Sequence, residues 1–481
     1  MSTFSGLNTA YSGLVAARKG LDVVGQNIAN ANTAGYTRQR LETSPLGPTA
    51  TTGVFSNGVS VGQGVSVDGV ARLASSQLDA QVRFSAGTAG YSAVRANSLS
   101  ALEGSLNEPG ENGISAKLGA FWAGWQTLAN GSDTSAPAAL LLGTAAELVG
   151  QIKQGHQDVS SEWSSVRSDL TGMANELNSA ATRVADLNDR IRSTVASGGS
   201  PNELLDQRGA LTATIAALTG ATVREQPDGT VDVLIGGNAL VSGNKAHALA
   251  VSGAATMTAA MAPTAPGVSN DPRLVWQESG RSGTPVIVDS GEIAGALSML
   301  AAGGPVVGAA ESYNSFASDL AQKVNDIYGT DSNGKSFFSV GPGAAAANLS
   351  VVPTKGSEVR AGDTSLGAYD GSIADAIAQL GAGKAVDATT GAPIESPDSV
   401  WSTFVIELGV AAQGQLQQAS VASTTAASAV GRQLSNASVD LDEENVNLLM
   451  FQHAYQGAAR VLTAVDEMLD TLINRTGLVG R

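Results

Sequence analysis

The sequence predicts a mainly α fold with a β-rich insertion: a coiled coil of the terminal N and C helices, a long-helix bundle, and a central β-rich domain. Three observations predict it. Apolar residues recur at seven-residue spacing at both ends of the chain, the longest helical periodicity covers residues 137–195, and at Thr222 the period switches to two.

At the C-terminal end Leu441, Leu448, Tyr455, Leu462 and Leu469 are spaced by seven. Three residues after each stand Glu444, Phe451, Ala458, Val465 and Leu472. Asp440 is suited to cap the first free amides and Glu443 to complete a capping box, while Asp442 and Glu444 add negative charge at the positive helix end. A stop is expected at Gly477, after Arg475. A helix of roughly 35 residues would run about 50 Å and cannot bury its seam against itself. Its partner is expected at the other end, where Leu7, Leu14, Leu21 and Ile28 form one series and Ala10, Ala17, Val24 and Ala31 the second. Charge favours the pairing: residues 1–43 carry four basic side chains against two acids, and residues 438–481 three arginines against seven acids. The plainer reading is two ordinary core helices of one globular domain. Their placement at the chain's extremes favours a dedicated terminal module.

A length of 481 residues suggests two to four domains. Aromatics at 4% beside 57 glycines favour closely packed helices and turn-rich strands over an aromatic-lined pocket. The net charge of −16 argues against nucleic acid or an anionic membrane as the main partner, since both reward a basic face. Without cysteine there is no disulfide, thiol catalysis or thiolate metal site. No run approaches the ~18 consecutive apolar residues of a membrane span, so no membrane insertion is expected, and export is not expected to use a cleaved secretory signal. His156, His247 and His453 are isolated, and Gly383-Lys384 lacks the earlier glycine and the following hydroxyl of a phosphate loop. In Asp331-Ser332-Asn333-Gly334 the glycine comes too early for a calcium loop. No catalytic, cofactor-binding or metal-binding residue is nominated.

The N-terminal seam runs into NIANANTAGYTR, residues 27–38. Physically this is a helix end: Asn30 and Asn32 compete for backbone amides, Gly35 can adopt the left-handed conformation, and Tyr36 can fold back as an apolar anchor. Its wording, with Asn27, Asn30, Thr33, Gly35 and Tyr36, resembles the signature of bacterial flagellar rod, hook and hook-associated axial proteins. Residues 438–473, SVDLDEENVNLLMFQHAYQGAARVLTAVDEMLDTLI, resemble the C-terminal helix of the hook-filament junction members of that family.

Between the ends, GQGVSVDGVAR (62–72) reads as a strand through Val65, Val67 and Val70, and helical periodicity resumes over residues 73–102. This stretch and GISAKLGAFWAGWQTLAN (113–130) also resemble the junction members, although an arginine expected near Ala139 or Leu140 is absent. After the long helix of residues 137–195, Ser200, Pro201 and Glu203 are suited to start another that stops at Gly220, and PNELLDQRGAL (201–211) again matches the junction members. Val223, Val231, Val233 and Ile235, around the turns Pro227-Asp228-Gly229 and Gly236-Gly237-Asn238, read as a β-meander with further strands through Val288. Helices are expected over residues 291–300, 310–328 and 400–434, and strand and loop over 336–397. The expected domains are 1–50 plus 438–481 for terminal assembly; 51–222, 290–335 and 398–437 for the bundle; and 223–289 plus 336–397 for the β-rich insertion.

The resemblance implies a structural subunit of the flagellum at the hook-filament junction, not an enzyme. It further implies export through the flagellar channel unfolded, transient cytoplasmic residence, an extracellular location, and polymerisation through Leu7, Leu14, Leu21, Val24 and Ile28 at one end. At the other end, Leu441, Leu448, Phe451, Tyr455, Leu462, Val465, Leu469 and Leu472 are implied to serve assembly or a cytoplasmic export chaperone. Implied partners are identical subunits in a ring, the hook protein, a second hook-filament junction protein and the export apparatus. The alternatives are a hook or distal-rod axial protein and, from another class, a secreted adhesin or enzyme with its site in the central insertion.

Overall fold

The computed structural model describes residues 3–47, 62–131, 135–265, 268–329, 334–363, 370–386 and 391–475. The expected stop at Gly477 and the first three residues of the Asp331–Gly334 turn lie outside them. Helix α1 (Thr3–Asn30) ends where the Asn30 amide donates back to the Gln26 carbonyl, and Gly35 takes φ +79° in the following turn. Strand β1 (Gln39–Pro45) pairs antiparallel with β2 (Val65–Arg72). Only β2 was legible in sequence, because β1 carries a single large apolar residue, Leu41, and shows no alternation.

Helices α2 (Ser76–Ser105), α3 (Ile114–Ala129) and α4 (Ser135–Ala196) follow. In α4 the expected stripe is buried along its length, from Leu141, Leu148 and Ile152 through Trp163 and Leu170 to Leu177, Val184 and Ile191. Helix α5 (Asn202–Thr219) starts one residue later than expected, with Pro201 in the cap position, and the Ser200 hydroxyl instead accepts from the Val70 amide. It ends at Gly220, φ +67°.

The meander is β3 (Thr222–Glu225), β4 (Val231–Ile235), β5 (Asn238–Ser242) and β6 (Lys245–Ala246), an antiparallel sheet in that order. Strand β7 (Leu249–Ser252) pairs with β8 (Arg273–Trp276), with the single turn α6 (Met257–Ala260) between them. Helices α7 (Gly291–Leu300) and α8 (Pro305–Tyr328) come next. Residues 336–397 are more helical than expected. Beside the hairpin of β9 (Phe338–Val340) and β10 (Leu349–Val351), with α9 (Ala345–Asn348) in its connection, they hold α10 (Ser372–Gly381), which buries Ala374, Ile377 and Leu380. Ten residues amid Gly and Ala give too few turns for periodicity to register. The chain closes with α11 (Pro397–Ala437) and α12 (Leu441–Asp470), the latter running into a π turn over Thr471–Arg475. The fold is mainly α; apart from the β1–β2 pair near the N-terminal end, its described sheets lie in the middle of the chain.

The chain divides into two compact units, Met1–Ala86 with Leu177–His247 and Thr424–Arg481, and Gly87–Glu176 with Ala248–Ser423. The second unit gathers the scarce aromatics. Trp125 packs against Phe121, Tyr328 and Phe337, while Trp401 packs against Tyr313, Phe316 and Phe404. Indole N–H groups from Trp122 and Trp401 donate to Asp398 at 2.7 Å and Glu108 at 3.0 Å. Two helical stretches, within Ser135–Ala196 and Gly291–Tyr328, are long and apolar enough on average to cross a membrane; most of the apolar window in the latter is buried inside the protein.

Candidate assembly site

The first unit contains the two terminal helices, packed antiparallel. Val465 lies by Gly6, the Phe451 ring covers Gly20, and Glu444 meets Asn27, so residues seven apart on one helix meet residues seven apart on the other. The line of closest approach on α1 is not the leucine series. Ala10, Ala17 and Val24 are buried, together with Gly20 and Asn27, whereas Leu7, Leu14, Leu21 and Ile28 are half-buried. A Cβ at Gly20 would stand 2.5 Å from the Phe451 ring, so the glycine is what admits the aromatic side chain. On α12, Val465 is buried, Leu448, Phe451, Leu462 and Leu469 are half-buried, and Leu441, Tyr455 and Leu472 remain exposed.

At the end where α12 begins, the signature forms a polar lock. The buried Asn27 donates to the Gln39 carbonyl at 2.9 Å and to Glu444 Oε2 at 3.2 Å, and its Oδ1 accepts from the Gln39 amide and the Tyr36 hydroxyl. Every polar atom of its amide therefore works across the turn. Arg38 donates from Nε to Glu444 at 2.7 Å and pairs with Glu443 at 2.5 Å. Its amide donates to the Ala437 carbonyl. Asp440 caps α12 as expected, accepting from the Asp442 and Glu443 amides. Glu443 turns to Arg38 instead of closing a capping box. Burial, with the carboxylates of Glu203, Asp206 and Glu444 nearby, pushes the Tyr36 phenol up to about 12. Tyr36 is thus a hydrogen-bonding member of the lock more than an apolar anchor. Thr33 is exposed, its hydroxyl donating to Asn30.

Sequence reasoning missed the lock's second layer. Asp206 accepts from the Thr37 amide at 3.1 Å and from Arg72 at 2.5 Å, and Asn202 donates to the Gln39 side chain and the Val70 carbonyl. Both belong to PNELLDQRGAL, which the sequence marks as a helix start and as a match to the junction members without naming any contact. The available signal was Asn202, Glu203 and Asp206 on one side of a helix start, but spacing alone names no partner.

On α12 a second apolar stripe, Val446, Met450, Val461 and Met468, is exposed, at helical spacing on a face roughly a third of a turn from the one that meets α1. Among the described residues no group of three or more histidine or acidic side chains is placed to hold a metal ion.

Comparison with known proteins accounts for this arrangement. Residues 99–338 match the flagellar hook-associated protein FlgK helical domain, residues 7–37 the flagella basal body rod protein family, and residues 432–475 the flagellar basal body rod FlgEFG protein C-terminal family. The chain belongs to the flagellar hook-associated protein 1 family. Flagellar hook-associated protein 1 of Bacillus subtilis is 27% identical over the full length of both chains. That of Salmonella typhimurium is 33% identical over 51% of this chain and 44% of the relative, and that of Escherichia coli 30% over the same shares. The flagellar hook junction protein FlgK from Burkholderia pseudomallei shares the fold, with a TM-score of 0.61, 16% identity, and coverage of 74% of this chain and all of that one. The family is structural and flagellar rather than enzymatic, and this chain is a structural protein of the flagellar hook-filament junction.

Proposed function

We propose that the chain polymerises through its terminal helices into a ring of identical subunits seated between the hook protein and a second junction protein. In this reading it reaches that extracellular position unfolded, through the flagellar export apparatus, after a cytoplasmic chaperone has covered α12. The observation that carries the reading is the exposed stripe of α12. The antiparallel pair satisfies one face of that helix, yet Val446, Met450, Val461 and Met468 stay in water, each worth roughly 1.5 to 3 kcal/mol on full burial. A neighbouring subunit or a chaperone groove would supply the cover. The seams named from sequence then divide the work: Leu7, Leu14, Leu21, Val24 and Ile28 with Leu448, Phe451, Leu462, Val465 and Leu469 hold the pair, and Leu441, Tyr455 and Leu472 face outward. Residues 1–50 with 438–481 act as the assembly domain in this scheme; 51–222, 290–335 and 398–437 form the bundle, and 223–289 with 336–397 the insertion.

A strain lacking the gene is expected to complete its hooks and release flagellin into the medium. Complementation with Met450→Asp/Met468→Asp should fail to restore filaments, although the variant folds. Normal filaments on the deletion strain would refute the junction assignment, and normal filaments with the double variant would refute the role of the stripe.

A further inference from the structure

The first unit also holds a cleft of about 600 Å³ whose wall includes Arg72, Arg83, Arg208 and Arg224, with Asp79 and Glu225. Two of the four guanidinium groups are neutralised. Arg72 pairs with Asp206 at 2.5 Å and Arg224 with Asp232 at 2.9 Å. The other two are not. Arg208 is 8% exposed, and its partners among the described residues are neutral oxygens to which Nη1 donates, Asn188 Oδ1 at 3.0 Å and the Gly229 carbonyl at 2.7 Å. Among the described residues Arg83 has no hydrogen-bond or ion-pair partner, and it lies where this cleft meets a smaller cavity lined by Tyr36, Thr37 and Asp206. Burial pulls both guanidinium groups below their ordinary value, Arg208 to about 10, against weaker opposing fields from Glu225 and, at Arg83, Asp79. A buried cation that lacks an anion is costly, and a planar fork of free donors is shaped for a carboxylate or phosphate.

We propose that this cleft is an oxyanion site, taking a phosphate or carboxylate ligand of about two negative charges on Arg83 and Arg208, with Arg72 and Arg224 at its rim. Such a group comes either as a free anion or as acidic side chains of a second copy of this chain, whose formal charge of −16 leaves acids to spare. The site does not depend on how the terminal helices assemble. Gln433 donates to Asp79 at 2.6 Å but leaves the carboxylate's charge in place, so Asp79 and Glu225 are the cleft acids that the ligand must outweigh.

The full chain, titrated by calorimetry at low salt with inorganic phosphate and with citrate, should bind one of them saturably at one site if the anion is free. Arg83→Gln should weaken that binding about ten-fold or more, while Arg83→Lys, which keeps the charge but loses the fork, should fall between. If the anion belongs to a second copy, sedimentation should show self-association that phosphate competes away and Arg83→Gln reduces. Circular dichroism and thermal melting of Arg83→Gln serve to establish that it is folded. The inference is overturned if neither anion binding nor self-association responds to Arg83→Gln in the folded variant.

Discussion

Glu444 is a carboxylate at 1% exposure in the first turn of α12, where the helix dipole and Asp440's neighbouring amides already favour negative charge. Its burial is tolerable because Arg38 and Asn27 both donate to it. Arg38→Met should therefore cost about 3 to 5 kcal/mol, since the buried charge loses its cation, whereas Arg38→Met/Glu444→Leu should recover most of the loss. Denaturant melts, with hydrogen exchange across residues 441–451, would measure both; a single variant as stable as the parent would disprove the lock. Tyr36 supplies a pH signature at the same place. Its phenol holds its proton more tightly folded than unfolded, so its contribution is fully present below about pH 10 and is lost as pH rises through about 12. Tyr36→Phe should lose about 1 kcal/mol at neutral pH, for the missing bond to Asn27, and flatten the decline across pH 10 to 12 in melts run in parallel.

At the scale of elements, the α1–α12 pair depends on how closely two backbones approach. Gly20 sits where the Phe451 ring rests, so Gly20→Val would gain nothing from its side chain and would drive the ring out of the interface. Faster hydrogen exchange in both helices, with α4 and α5 unaffected, is the expected result. Asp440→Ala tests the helix start separately: losing the two amide bonds should cost about 1 kcal/mol and fray α12 from its beginning without separating the pair. Equal protection of the first turn in variant and parent would remove the cap from the account.

For the whole molecule, the two units can be watched independently. All five tryptophans, Trp122, Trp125, Trp163, Trp276 and Trp401, belong to the unit made of Gly87–Glu176 and Ala248–Ser423. A fragment covering residues 60–437 should keep the parent's tryptophan emission and sediment as a monomer, because the aromatic core draws nothing from either terminal helix. Red-shifted emission, or ordered polymers of the fragment, would show that the terminal helices are not a separate module.

What the sequence determined by itself were the features written in local spacing. The stripe of α4, the meander after Thr222, the Asp440 cap and the two heptad series each follow from residues within a few turns of one another, where period and backbone preference decide. Strand β1 escaped because its stability comes from β2 across the sheet, and α10 because its ten residues carry too little pattern. Only the tertiary structure decided which face of each terminal helix turns inward, since a glycine contributes nothing to a hydrophobic pattern yet sets the closest approach at Gly20. It alone also joined Asn27, Arg38 and Asp206 to partners more than a hundred residues away: a hydrogen bond needs its two groups within about 3 Å, a condition that no local spacing records.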